Sequence, residues 1–499
     1  MKALILGSRQ RFVLRGLTAA TIILFCGTFS LVYADDFTVT AGNSEITFDE
    51  MAGVPVRWAI CIPDCADEAA RRAVLFEDGD GYFRVSAPGG PGGAFSLAVQ
   101  ESDDEISVEF AAAHGRRVYR LSRADAHVSI TLPAGSSIEF ATGTTFVPQQ
   151  LPGFGQMYSR VHGVQVNESG QTIFDDPDQA VIELDPGGDN WVGMRNRYWT
   201  LLVQHPVGQL SASMDTSHPD RPLLTIAGTG GDEAINFDFY AGPVEWSALK
   251  QVAPVLSEML FAALWDFLRI FCFGMLLLLD WLQSAVGSFG LAIILLSLAN
   301  KILLSPLTML ADRWQAEVNR IHTLLKPQLD EIKKNFKGEE AHMRTLDVYK
   351  KNKVSQFYTF KSAAGFLIQI PVFIAVFDML GENIALNEIA FLWVNDLAKP
   401  DQLADLPFVL PFFGGGLNIL PFLMTGLSVL AAVLQTEDSL SPDLQRQQSR
   451  RLYLMSAAFF MLFYTFPAGM VLYWTSSNLF HLLKVELSRL FARAPSVED

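Results

Sequence analysis

The chain has 499 residues, half of them hydrophobic, and a formal charge of −16 at pH 7. That length admits two domains, and the apolar runs crowd into the C-terminal half, which excludes a wholly soluble protein. The acid lies mostly between Asp35 and Lys250, and such a surface repels nucleic acid, so no DNA partner is expected.

Lys2, Arg9, Arg11 and Arg15 precede an apolar run from Leu17 to Tyr33. Residues 1–34 therefore read as a signal anchor, with a signal peptide cleaved after Ala34 as the alternative. Both readings place Asp35 onward outside the cytoplasm. From Phe37 to Phe239 the chain reads as β, residues 35–243 forming an all-β sandwich domain. Phe37–Thr40, Glu45–Phe48, Ile106–Phe110, Val128–Leu132 and Ile235–Phe239 alternate apolar and polar residues between turn-forming clusters. Asp67 to Leu75 carries the strongest helix signal of this half.

Four cysteines are too few for a disulfide scaffold. Cys61 and Cys65 stand four apart outside the cytoplasm, where a local disulfide can form; two ordinary thiols is the alternative. His114, His127, His162, His205 and His218 are scattered. No nucleophile elbow, zinc-binding helix or phosphate loop accompanies them. Neither an enzyme, nor a metal site, nor a cofactor is expected.

After Pro243 the pattern turns helical. Residues 244–286 comprise a mixed stretch, Glu245–Leu264, and a strongly apolar one, Phe267–Val286. Further apolar runs are Phe289–Leu310, Ala363–Leu380, Val409–Leu434, Leu452–Phe466 and Ala468–Leu483. Between Arg313 and Lys361 lie eleven Lys or Arg against six Asp or Glu, which places that segment in the cytoplasm. Parity then allows a single crossing between about 250 and 313. Phe289–Leu310, next to the basic segment, is the crossing; Phe267–Val286 lies along the outer membrane interface. The rest alternate, giving five spans over residues 287–490.

Lys301 sits inside the first of these spans, on one helix sector with Ser297, Asn300 and Ser305. A Lys at bilayer depth costs roughly 2.5–3.5 kcal/mol on insertion scales, so it should face a wet cavity, with Gln369 nearer in depth than Asp378. Snorkelling to the inner surface is the bland alternative. A cationic cavity fits either a small-anion transporter or a polypeptide-binding surface; no internal repeat of the transporter kind is visible. The basic segment, residues 311–357, reads as a helical hairpin, Ala311–Lys334 and Glu339–Phe357 around a turn at Asn335–Gly338. Arg313, Arg320, Lys326, Lys333, Lys334 and Lys337 make it a platform for anionic lipid headgroups or ribosomal RNA, or a solvated hairpin whose charge only fixes topology.

Several stretches carry a family resemblance: Tyr240–Pro243, Gly287–Gly290 with Ser305–Thr308, Gln369–Phe373, Asn383–Asp396 and above all Phe466–Leu479. Over residues 240–490 the chain resembles the Oxa/Alb/YidC family of membrane protein insertases. The resemblance implies a five-helix insertase core, a periplasmic β-supersandwich, and a multi-pass protein of the bacterial inner membrane. It implies a hydrophilic groove open to cytoplasm and lipid, through which nascent membrane proteins are inserted and helped to fold, alone or with the Sec translocon. Lys301 stands where the family usually has Arg, and Ser297, Gln369 and Trp474 match other groove-facing positions. Lys361 departs from the family pattern and would add a second positive charge at the groove mouth. An assembly chaperone or scaffold that uses the same surface without translocation is the other reading.

Overall fold

The computed structural model describes residues 36–493, apart from 88–94, 114, 176–180, 185–189, 206–209, 219, 229–232, 353, 355–363 and 435–441. Residues 1–35 form a separate unit, so the anchor lies outside the described residues.

Residues 36–243 fold into antiparallel strands in three sheets. The first sheet follows chain order: β1 (Asp36–Ala41), β2 (Ser44–Asp49), β3 (Val54–Ile62) and β4 (Arg71–Phe76). A second combines β5 (Tyr82–Ser86), β10 (Ser137–Ala141), β13 (Val181–Leu184), β16 (Leu210–Asp215) and β17 (Leu223–Gly228). The third and largest joins β6 (Ser96–Glu101), β7 (Glu105–Ala112), β8 (Gly115–Ser122), β9 (His127–Leu132), β11 (His162–Asn167), β12 (Gly170–Phe174), β14 (Asn190–Arg195), β15 (Trp199–His205) and β18 (Ile235–Pro243). The alternating strands send their apolar residues inward: Ile46, Phe48, Val108, Phe110, Val128, Ile130, Phe237 and Phe239 meet in one core with Trp58, Phe76, Phe83 and Phe140. Trp58 is fully buried, and its Nε1 donates to Ser44 Oγ at 3.2 Å.

Asp67–Leu75 is not a helix. The Asp67 carboxylate accepts the amide of Ala69 at 2.9 Å, which makes a local turn. The chain then pairs as β4 with β3, Ala73 opposite Ile60. Burial of Leu75 and Phe76 in the sandwich outweighs weak helical propensity. Just before it, Cys61 and Cys65 are joined by a disulfide, with their Cα atoms 5.0 Å apart.

His127 and Asp238 pair across β9 and β18, Nε2 to Oδ1 at 3.3 Å. Donating a hydrogen bond to the Asp238 carboxylate raises the imidazole above its ordinary 6.5, against the opposing effect of burial. The same bond holds the Asp238 carboxyl below 3.8. A raised His pKa contributes stability that is complete below the unfolded value and is lost as pH climbs through the folded one. The thermal midpoint of the β domain should therefore fall as pH rises from the ordinary His value through the raised one, and His127→Gln should flatten that slope in thermal scans.

The far face of the largest sheet is covered by helix. Val164, Val166, Trp191, Leu202 and Tyr240 form a second core with Leu249, Leu256 and Met259. These last residues come from α1 (Trp246–Val252) and a 3₁₀ turn (Pro254–Met259), so Pro254 divides the expected Glu245–Leu264 helix. Helices α2 (Asp266–Val286) and α3 (Phe289–Asn335) follow, and both are long and apolar enough to cross a membrane. At 1.5 Å per residue, α3 is about 70 Å long. It fuses the expected span and the first hairpin arm into one rod. Pro306 inside it leaves the carbonyl of Ile302 without its usual donor, and Ser305 Oγ donates to that oxygen at 2.8 Å.

Then come α4 (Gly338–Lys351), α5 (Ala364–Glu382), α6 (Leu420–Leu434), α7 (Pro442–Phe463) and α8 (Ala468–Arg493). The run Val409–Leu434 is helical only from Leu420. Its start belongs to a two-stranded hairpin, β19 (Gln402–Leu410) and β20 (Gly414–Asn418). Pro407, Pro411 and Gly414–Gly416 deny the helix there.

Both ends of α2 are tied to the end of the helical part that carries the β domain. Arg269 pairs with Glu258 at 2.7 Å, and Arg195 of β14 bonds the Met259 carbonyl and lies 3.6 Å from Glu382. At the other end Gly290 packs so closely on Phe391 that a Cβ would fall 2.1 Å from the ring. Between its ends α2 passes over α5, Cys272 Sγ to Ala375 O, and over α3, Met275 Sδ to Asn300 Nδ2. A 21-residue helix is about 31 Å long, so with both ends at one level α2 lies across the bundle.

Arginines of the β domain seal this junction. Arg71 donates to the carbonyls of Ile384 and Asn387. Arg197 donates to those of Gly381 and Ala398 at 2.5 and 2.8 Å, its guanidinium packed over Tyr158 and Tyr198. Charged hydrogen bonds of this kind contribute about 1.5–3 kcal/mol each. Arg197→Ala should free the 383–401 loop, read as a gain of at least ten-fold in its amide hydrogen exchange with the β core unchanged.

Candidate functional site

Lys301 opens onto a cavity of ≈ 790 Å³ between α3, α5 and α8. Its polar lining comprises Asn300, Lys301, Ser305, Thr308 and Asp312 from α3, Gln369 from α5, and Tyr473, Ser477, His481 and Lys484 from α8. Leu298, Ile302, Leu304, Val372 and Phe480 supply apolar walls. Lys301 is half-buried and makes no ion pair among the described residues. Asp312 lines the same cavity three turns along α3, and Lys484 adds a second cation across it.

The cavity is closed towards the β domain. Asn300, itself buried, donates to the Tyr473 hydroxyl at 3.1 Å and to Met275 of α2. Beside this lid stands an aromatic cluster: the Trp474 ring packs 5.1 Å from Phe373 and 5.7 Å from Phe463, centroid to centroid. The α8 backbone is fixed from outside, the amides of Ala468 and Gly469 bonding the carbonyls of Lys399 and Leu397. Those bonds satisfy donors that a helix start leaves bare. Towards the other end no such seal is present among the described residues, and Gln369, Leu483 and Lys484 are exposed.

Each expected site residue has a definite place, except one. Lys301 and Gln369 line the cavity, and Asn300 forms its lid. Ser297 does not reach it: the side chain is fully buried and its hydroxyl bonds Ile294 O within its own helix. Trp474 faces the aromatic cluster rather than the open space. Lys361 lies outside the described residues. Asp378 is remote from Lys301; it lines a separate space near Arg195, Arg197 and Glu382 at the β-domain junction.

The α8 wall is the part that sequence reasoning missed. Tyr473, Ser477, His481 and Lys484 follow one another at four, four and three residues, one polar stripe along a single face of the helix. That spacing is the signal that could have found them.

The hairpin projects beyond the cavity. Ala311, Val318, Leu325 and Ile332 recur every seven residues and are its buried seam on α3. The facing side of α4 uses Ala341, Thr345, Leu346 and Tyr349, while Met343 is exposed. Arg313, Arg320, Lys333, Lys334 and Lys337 are exposed and Lys326 is half-buried.

Residues 281–489 match the family described as 60Kd inner membrane protein. Among curated relatives, a membrane protein insertase YidC of Shewanella pealeana is 30% identical over 318 residues, 61% of this chain and 53% of the relative. One from Shewanella woodyi is 32% identical over 300 residues, 58% of this chain and 50% of the relative. One from Wolinella succinogenes is 29% identical over 331 residues, 64% and 55% respectively. The chain thus spans about half the length of the curated relatives it matches. A crystal structure of an active YidC insertase aligns over 90% of this chain and 92% of its own, at 17% identity and a TM-score of 0.35.

Proposed function

We propose that this chain, which belongs over residues 281–489 to the 60Kd inner membrane protein family, is a membrane protein insertase that receives the polar flank of an incoming segment in the Lys301 cavity. One observation carries the reading: a cation that has no acidic partner among the described residues sits in a cavity sealed at the β-domain end and, among those residues, open at the other. Water and charge inside the bundle lower the cost of drawing polar residues into the bilayer, which in bare lipid amounts to several kcal/mol per unsatisfied group. Gln369, Ser477, Thr308 and His481 supply hydrogen-bonding groups for the same flank. The apolar part of the segment then leaves sideways, past exposed Ile302 and Leu303, into the surrounding acyl chains. No bond is made or broken.

In this reading α3, α5, α6, α7 and α8 are five spans of the inner membrane, residues 1–34 are an N-terminal anchor, and the β domain stands in the periplasm. The α2 helix lies at the outer interface, its exposed Phe267, Ile270, Leu277 and Trp281 in contact with lipid. The hairpin carries its basic residues into the cytoplasm, where anionic lipid headgroups or the ribosome would meet them. Nascent membrane proteins are the substrates, with the Sec translocon as the collaborating partner.

The lid made by Asn300 and Tyr473 disfavours a small-anion transporter, which needs access from both sides. A chaperone that only assists assembly remains the competing reading. Purified protein in liposomes, given a short single-span substrate with an acidic outer tail, separates the two. Protease protection of that tail is expected; binding without protection would favour the chaperone.

A further inference from the structure

The β19–β20 hairpin has no counterpart in the site just described, and its chemistry is unusual for a water-facing strand. Half-buried strands alternate apolar and polar residues. In β19 every residue except Leu406 is exposed, including Leu403, Phe408, Val409 and Leu410, with Val409 at 79%. Its partner strand explains why. Gly414, Gly415 and Gly416 offer no side chains to cover the opposite residues, and the pairing breaks between Asp405 and Leu410. The turn holds Phe412 at φ 72°, a left-handed conformation that costs a phenylalanine about 1–2 kcal/mol.

The base of the hairpin is nevertheless pinned. Asp401 accepts the amides of Ile419 and Leu420 at 2.9 and 2.7 Å, which caps α6. Asn418 donates to the Tyr464 carbonyl at 2.6 Å. So a rigid base presents an apolar strand at the end of the bundle nearest the β domain.

We propose that this hairpin is seated in the membrane surface, with Phe408, Val409 and Leu410 in the headgroup–acyl boundary of the bilayer that the bundle spans. The proposal rests on the membrane placement of the bundle and is independent of insertase activity. Two observations identify the occupant as lipid. The apolar surface is continuous with that of the spans: the Tyr464 ring packs on Phe413 at the turn and on exposed Phe422 of α6. And no charged residue occurs between Leu406 and Leu434, whereas a protein partner is ordinarily met by charged or hydrogen-bonding groups around an apolar centre. The unpaired backbone of β19 requires water or headgroups as partners, which places it at the boundary and not in the acyl core. At the turn, Phe412 meets Phe154 of the β domain, ring centroids 5.1 Å apart. The hairpin therefore also braces the β domain against the bilayer.

A nitroxide on Val409→Cys tests this in the full chain, with Cys26→Ser, buried Cys272 left in place, reconstituted into phosphatidylcholine–phosphatidylglycerol vesicles. Leu303→Cys on α3 and Met51→Cys on the β domain serve as references. The label at 409 should collide with oxygen at least about three-fold more than with a water-soluble nickel chelate, as at 303, while the label at 51 shows the reverse. A nickel preference at 409 with an oxygen preference at 303 would overturn the hairpin's placement alone. A nickel preference at both would overturn it together with the membrane placement of the bundle. Dipolar broadening at 409 that vanishes on dilution with unlabelled protein, without oxygen preference, would assign the face to a second copy and also overturn the proposal.

Discussion

Lys301→Glu should reduce insertion of substrates with acidic outer tails by ten-fold or more, while the protein reaches the membrane in normal amounts. At an effective dielectric near 20, two charges about 6 Å apart interact by about 3 kcal/mol. Reversing the sign turns that attraction into repulsion, and half of it already corresponds to about ten-fold in occupancy. Lys301→Arg should retain activity, since the charge persists and the planar guanidinium adds donors. Lys301→Ala should fall between them. Substrates with uncharged tails should respond weakly to all three. Complementation of an insertase-depleted strain with a graded set of tails measures this; full activity of Lys301→Glu on acidic tails would refute the charge role. Lys484 shares the cavity, so Lys484→Glu should deepen the defect.

Trp58→Ala should be the most damaging single change in the β domain. The indole is fully buried, packs 6.0 Å from Phe239 and 6.2 Å from Phe83, and bonds Ser44. Emptying such a site costs about 3–5 kcal/mol. For a domain of roughly 200 residues that is a fall of about 10 °C in its thermal midpoint. Calorimetry of the full chain in detergent would follow it. Cavity residues lie in a different core, so the Lys301 variants should leave this transition in place. A drop of under 2 °C for Trp58→Ala would mean that the core collapses around the gap, contrary to close packing.

How much of this was legible beforehand depended on what each segment buries. Strands β1, β2 and β7 leave one face less buried than the other and so advertise a period of two. Strand β14 is buried throughout, Asn190 included, because sheet packs on one face and helix on the other; it carries no alternation to read. The helical signal of Asp67–Leu75 lost to pairing with the neighbouring strand β3, whose partners such as Ile60 lie outside the nine residues that carry the helical pattern. The run Val409–Leu434 reads as one span by hydropathy, yet three successive glycines turn its start into a hairpin. At the site, Lys301 stood out because a charge in an apolar run is costly. The α8 stripe was quieter, since Tyr473, Ser477 and His481 are ordinary polar residues at a helix end that already carries Lys484, and only their spacing betrays them. Ser297 and Trp474 show the limit of matching positions: each occupies its place in the helix while its side chain serves packing.

The junction adds a mechanical element that composition did not suggest. Arg71, Arg197 and Arg195 hold the 383–401 loop, the C-terminal end of α5 and the β domain as one piece. The same loop caps α8, whose inner face lines the cavity. A rigid end at the β domain and an open end opposite suit a groove that is entered from one side only.

In the proposed mechanism the incoming chain occupies the space between α3, α5 and α8. Site-specific photo-crosslinking tests it most directly. A photoreactive residue at Thr308 or Ser477, both lining the cavity, is compared with one at Met343, exposed on the hairpin, using a ribosome-stalled single-span substrate. Strong crosslinks to the substrate's polar flank are expected from 308 and 477, weakening several-fold in Lys301→Glu. Crosslinks absent from both cavity positions while the substrate is inserted normally would contradict it.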